Sequence, residues 1–103
     1  MNEQGIQKKI SDTLKAAGCF VFKAIQCNVS GIPDILCCAP YVITPDDVGR
    51  KVGLFVGIEV KTSRGVVSPI QYHRLAQIQA AGGIRVVARA VGDAEAALPH
   101  LFK

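Results

Sequence analysis

Asp34, Glu59 and Lys61 are polar residues placed where a β-strand would not ordinarily carry them. Glu59 and Lys61 are two positions apart in a run of strand-forming residues, so both side chains project from one face. Asp34 opens a second apolar run that extends to Ala39. If the two strands lie side by side, about 4.8 Å apart, the carboxylates of Asp34 and Glu59 converge on one point. Carboxylates that close repel each other and raise each other's pKa, and a divalent cation relieves the repulsion. Their oxygens suit Mg²⁺, which binds at about 2.0–2.1 Å and keeps several waters. The backbone carbonyl of Val60 could add a ligand. Such an ion lowers the pKa of a bound water and neutralises charge on a phosphodiester. Lys61 would orient the attacking water or offset charge in the transition state. A lone Glu-x-Lys on a strand is also a common solvated surface pair, so the case rests on the wider pattern.

The elements that must hold these residues are legible in the chain. Residues 2 to 17 form an expected helix, with Ile6, Ile10 and Leu14 recurring every four positions and Gly18 as its stop. Glu3 falls in its first turn, where a carboxylate also favours the helix dipole. Residues 19 to 26 and 34 to 39 are expected strands, separated by a turn at Asn28 to Gly31 and by Pro33. Residues 40 to 51 are the least regular stretch and are expected to join two antiparallel strands as a long hairpin connection. The segment from Tyr41 to Lys51 fits a dimer contact, a DNA-contacting wing or a neutral insertion. Val52 to Thr62 is the clearest strand, with Leu54, Val56, Ile58 and Val60 on one face and Phe55, Gly57, Glu59 and Lys61 on the other. Ser68-Pro69-Ile70-Gln71 opens a helix running to about Ala81, with Ser68 as cap, Pro69 at the first position and Gln71 closing a capping box. A fourth strand spans Ile84 to Ala90, and Asp93 can cap a short final helix before Pro99. The order is α-β-β-β-α-β, and the helical crossover makes the last two strands parallel. The expected fold class is therefore α/β, one mixed four-stranded sheet flanked by helices, in a single domain over residues 1–103.

The pattern Gly31-Ile32-Pro33-Asp34, then Ile58-Glu59-Val60-Lys61-Thr62, then Ser68-Pro69-Ile70-Gln71 covers nearly the whole chain. In that order it resembles the VRR-NUC (virus-type replication-repair nuclease) branch of the PD-(D/E)XK superfamily. An acidic residue in the family's first helix matches Glu3, its Gly-x-Pro-Asp motif ends at Asp34, its Glu-x-Lys motif is Glu59-Val60-Lys61, and its later glutamine is Gln71. The resemblance implies a restriction-endonuclease-like core and a DNA phosphodiester hydrolase. Asp34 and Glu59 would bind Mg²⁺ or Mn²⁺, with Glu3 assisting directly or from behind the ligands. Lys61 would act on the nucleophilic water, and Gln71 would help position Lys61, the water or the phosphate. Short stand-alone members are phage or bacterial homodimers that act on branched DNA such as Holliday junctions, in DNA repair and replication.

Bulk properties are compatible with that reading. Twelve Lys and Arg against eight Asp and Glu give a net charge of +4, which suits a polyanionic partner. Arg64 follows the Glu-x-Lys strand in a Gly-containing loop and leads the expected phosphate contacts, with Lys8, Lys9 and Arg74 next and Arg85 and Arg89 behind them. Surface Lys and Arg are also commonly just solvated. His73 beside Gln71 fits a surface histidine as well as a substrate contact. Half of the residues are hydrophobic and the mean hydropathy of +0.30 is high, which a second copy of the chain covering apolar surface would explain. No run approaches the ~20 apolar residues needed to span a bilayer. The start lacks the basic and apolar pattern of a signal peptide, so the expected compartment is the cytoplasm of a bacterium or of a virus-infected cell. Cys19, Cys27, Cys37 and Cys38 contain no Cys-x-x-Cys pair and are expected to be reduced and mostly buried. No Ser, Tyr or Cys has an evident activating partner, so hydrolysis is expected to use water directly. The alternative class is a nuclease-like module that binds DNA or protein without cutting.

Overall fold

In the computed structural model, residues 2–28, 30 and 34–102 are described, Glu3 by its backbone alone. Gly31, Ile32 and Pro33 of the Gly-x-Pro-Asp motif lie outside the described residues. Helix α1 spans Glu3–Ala16. The Asn2 side chain caps it by accepting from the Gly5 N–H at 2.8 Å, and Gly18 ends it at a φ of 92°, where a side chain would be strained. Strand β1 (Phe20–Lys23) pairs antiparallel with β2 (Ile35–Cys38), with Phe20 opposite Cys38 and Lys23 opposite Ile35. The Ala24 N–H donates to the Asp34 carbonyl at 2.9 Å, so the backbone of Asp34 is fixed by the end of this ladder. Helix α1 packs on β1.

The second half holds β3 (Val56–Val60), α2 (Pro69–Ala80) and β4 (Ile84–Ala88). β3 and β4 are parallel, from Val56 opposite Ile84 to Val60 opposite Ala88, as the helical crossover requires. One further bond at each end, Ile84 N–H to Phe55 carbonyl and Lys61 N–H to Ala88 carbonyl, extends the pairing. α2 lies on the Gly57–Glu59 face. A Cβ at Gly57 would meet Ile78 Cδ1, so a larger residue would push the end of that side chain aside. Val67, Leu75, Ile78, Ala81, Val86 and Ala88 are buried here, and Cys38 of β2 joins them. A short helix, α3 (Val91–Ala96), follows. Asp93 caps it, as expected, from the third position of the helix: its carboxylate reaches back to accept from the Arg89 and Ala90 N–H groups at 2.8 and 3.2 Å.

The mixed α/β class holds, but the four strands form two two-stranded sheets among the described residues. The expected hairpin between β2 and β3 has no ladder. Its connection is folded on itself instead. The Asp47 carboxylate accepts from the Tyr41 hydroxyl (2.7 Å), the Thr44 N–H (2.8 Å) and Arg50 Nη1 (2.7 Å) around a 3₁₀ turn at Pro45–Asp47. These bonds satisfy the loop locally. Residues 52–55 then face Cys37–Ala39 across a cavity of about 430 Å³. The halves nevertheless meet at Gly83. A Cβ there would lie 2.8 Å from Ile78 Cγ2, 3.0 Å from the Phe55 carbonyl oxygen and 3.1 Å from Cys38 Sγ.

Apolar surface is left uncovered among the described residues. The Cα radius of gyration is 15.9 Å, against about 13 Å for a compact chain of this length. Ile58 and Val60, which face away from α2, are 48% and 73% exposed. The cysteines are free, as expected, but Cys38 alone is buried and Cys27 is exposed. Burial raises the Cys19 thiol pKa, and the neighbouring Cys37 adds to the rise. Among the described residues no helix is long and apolar enough to cross a membrane.

Gly83→Ala is expected to destabilise the protein by about 1–3 kcal/mol, read from urea unfolding, because backbone and branched side chains surround the position. A change below 0.5 kcal/mol, the scale of an ordinary surface substitution, would contradict this packing. Hydrogen bonds to the Thr44 N–H and the Tyr41 hydroxyl hold the Asp47 carboxyl below its ordinary value of 3.8. A depressed carboxyl contributes its full stabilisation above the unfolded pKa and loses it as pH falls through the folded one. The Thr44 amide resonance should therefore hold steady from neutral pH into the ordinary carboxylate range and move only below it. A midpoint above 3.8 would contradict the loop's hydrogen bonding.

Candidate functional site

β3 and the head of α2 build one part of the site. Strand alternation points Glu59 and Lys61 toward α2, and α2 answers with Gln71. Ser68 and Gln71 form the expected capping box. Gln71 N–H donates to Ser68 Oγ at 3.3 Å, and Ser68 N–H donates to Gln71 Oε1 at 3.0 Å. That bond leaves the amide nitrogen of Gln71 free to turn to the strand, where Nε2 donates to Glu59 Oε1 at 2.8 Å. Capping and contact with the site are thus both done by one side chain. Lys61 Nζ lies 3.4 Å from the same Glu59 oxygen, and the two side chains are 21% and 30% exposed. Both donors therefore use Oε1, and Glu59 Oε2 has no partner among the described residues.

The Lys61 stem rests on the turn that follows β3. A Cβ at Gly65 would lie 3.2 Å from Lys61 Cβ, so glycine there leaves room for the lysine. Arg89 closes this turn. Its Nη1 donates to the carbonyls of Thr62 and Gly65, each at 2.7 Å. Arg89 was a lesser candidate for phosphate contact, and its guanidinium is engaged by the protein's own backbone. Nothing in the sequence signals that role, because both acceptors are main-chain carbonyls.

Asp34 stands at the start of β2 with an exposed side chain. Its Oδ2 accepts from Gln7 Nε2 of α1 at 3.0 Å, and Oδ1 has no partner among the described residues. Gln7 was missed by sequence reasoning. The signal was present: position 7 lies four residues after Glu3, on the same face of α1. The Glu3 side chain itself is not among the described residues.

The expected site residues thus fall into two contact sets. Glu59, Lys61 and Gln71 are brought together; Asp34 is held separately by Gln7. No described hydrogen bond, ion pair or ladder joins the sets, and no three His, Cys, Asp or Glu side chains cluster around one point among the described residues. Val60, whose carbonyl was expected to bind metal, pairs with Ala88 in the ladder. Of the expected DNA contacts, Arg64 is exposed on the 62–65 turn and Lys9 is exposed on α1. Lys8 is 2.6 Å from Asp12, a bond that raises the lysine pKa and lowers the aspartate's. Arg74 Nη1 donates to Gln77 Oε1 at 2.9 Å. His73 and Arg85 are exposed.

Comparison with known proteins adds nothing to this picture. Searches of protein-family models, of curated proteins and of solved structures each return no match.

Carboxylate oxygens are the donor chemistry a hard cation takes, but the described residues do not bring the two acids around one point. Each carboxylate has one oxygen turned to a glutamine amide and the other without a partner among the described residues. Gln71→Met keeps the volume but removes the acceptor for the Ser68 N–H and the donor to Glu59. It is expected to cost about 1–3 kcal/mol, measured by urea unfolding, and a neutral result would show that the Gln71–Glu59 bond is not formed.

Proposed function

We propose that the chain is a Mg²⁺- or Mn²⁺-dependent endonuclease of the PD-(D/E)XK type, in the VRR-NUC pattern, that hydrolyses phosphodiester bonds in DNA. The observation that carries this reading is the Glu59–Lys61 pair on one strand face, with Glu59 oriented by Gln71 from the head of α2. A surface ion pair needs no glutamine aimed at it from a neighbouring element.

The missing connection is Asp34. Cys38 of β2 and Phe55, just before β3, both approach Gly83. Asp34 lies as many residues before Cys38 as Glu59 lies after Phe55. If β2 and β3 paired antiparallel with Cys38 opposite Phe55, Asp34 would stand opposite Glu59, one strand spacing away, about 4.8 Å. The proposed four-stranded core is this zipped form of the two observed sheets.

In that arrangement Asp34 and Glu59 would hold the cation, with the Val60 carbonyl and Glu3 as further candidates. When bound there, such an ion would supply an acidified water and neutralise phosphate charge. Lys61 sits beside Glu59, where it can donate to the attacking water and offset charge on the pentavalent phosphorus. Gln71 holds Glu59 in place. Arg64, Lys9, Lys8 and Arg74 would track the phosphates, giving an affinity that falls steeply with salt. The exposed Ile58 and Val60 support a homodimer in which a second copy covers apolar surface, and a dimer with two active sites suits a four-way junction. A non-catalytic DNA- or protein-binding module is the second reading, favoured by the separate contacts of Asp34 and Glu59.

The test is cleavage of linear, flap and four-way-junction DNA with Mg²⁺ or Mn²⁺. Asp34→Asn and Lys61→Ala should each lower the rate by at least about 100-fold with the circular dichroism spectrum unchanged. Undiminished cleavage in both variants rules out this site, and no cleavage by the wild-type protein on any substrate supports the binding module.

A further inference from the structure

We infer that Gln7 is the positioning residue for Asp34, a role that rests on reading Asp34 as a metal ligand. Asp34 is exposed and sits at the end of a strand, where a short side chain has freedom to turn. Two bonds restrain it: the Ala24 N–H on its carbonyl and Gln7 Nε2 on Oδ2. The first fixes the backbone, and among the described residues Gln7 alone fixes the carboxylate.

The way Gln7 does so is informative. Only an amide nitrogen can face an ionised carboxylate favourably, because the amide oxygen is itself an acceptor. Turning Nε2 to Asp34 sends Oε1 inward, where it is buried without a partner among the described residues. A glutamine serving only to join α1 to β2 gains most by satisfying both ends of its amide. This one satisfies the carboxylate, while its own oxygen has no partner among the described residues. The result leaves Oδ1 open and aimed by a fixed Oδ2, the counterpart of Gln71 holding Oε1 of Glu59. Each candidate metal-binding acid is thus oriented by a glutamine from a different helix, as ligands in metal sites are commonly held by the groups behind them.

Mn²⁺ binding, followed by the loss of the free-ion electron paramagnetic resonance signal, tests the assignment. Gln7→Met keeps the length and removes the donor, and Gln7→Ala keeps the helix with its best former. Both should weaken Mn²⁺ binding about 10–100-fold while thermal melting stays near that of the wild-type protein. If Asp34→Asn loses Mn²⁺ but both Gln7 variants bind it as the wild type does, the role of Gln7 is overturned and the metal site stands. If Asp34→Asn itself binds Mn²⁺ normally, the reading of Asp34 fails and this inference falls with it.

Discussion

The hydrogen bond from Gln71 to Glu59 ties the chemistry to the fold. A charged acceptor that is only partly exposed needs a donor, and a helix start needs an acceptor. Gln71 meets both needs with the two ends of one amide. The consequence is mechanical as well as electrostatic. α2 cannot shift along β3 without losing its cap or uncovering Glu59, and Ile78 against Gly57 fixes the same contact farther along the helix. Lys61 is then confined between Glu59 and the glycine of the following turn, which Arg89 holds shut. The position of the ammonium group depends on that succession of contacts.

What the sequence made legible is what local chemistry determines. Ser68, Pro69 and Gln71 marked the start of α2 because capping depends on nearest neighbours, and alternation in Val56–Val60 put Glu59 and Lys61 on one face because the strand period leaves no other choice. The parallel pairing of β3 and β4 followed from the helix between them. The antiparallel ladder of β1 and β2 forms from the two strands expected before the long connection. The strands are shorter than their apolar runs, since β-forming residues at the ends of a run lack a partner rather than a propensity.

The unreadable parts depend on long-range or competing bonds. Gln7 meets Asp34 across 27 positions, and Arg89 reaches turn carbonyls that carry no side-chain signature. The hairpin expected between β2 and β3 gave way to a loop that satisfies its own polar groups around Asp47, whose side chain is only 8% exposed. A connection that closes on itself no longer has to align the strands on either side, and a cavity remains between Cys37–Ala39 and residues 52–55. Ile58 and Val60, away from that cavity, are apolar strand positions that the described part of the chain leaves exposed.

The account turns on whether Asp34 and Glu59 share one ion. Mn²⁺ added at a small fraction of the protein concentration broadens NMR signals close to where it binds. The account predicts that the backbone amides of Ile35 and Val60, each next to one acid, broaden together and to similar extent, and that Mg²⁺ in excess restores both. Broadening of one without the other, or of neither, would contradict it.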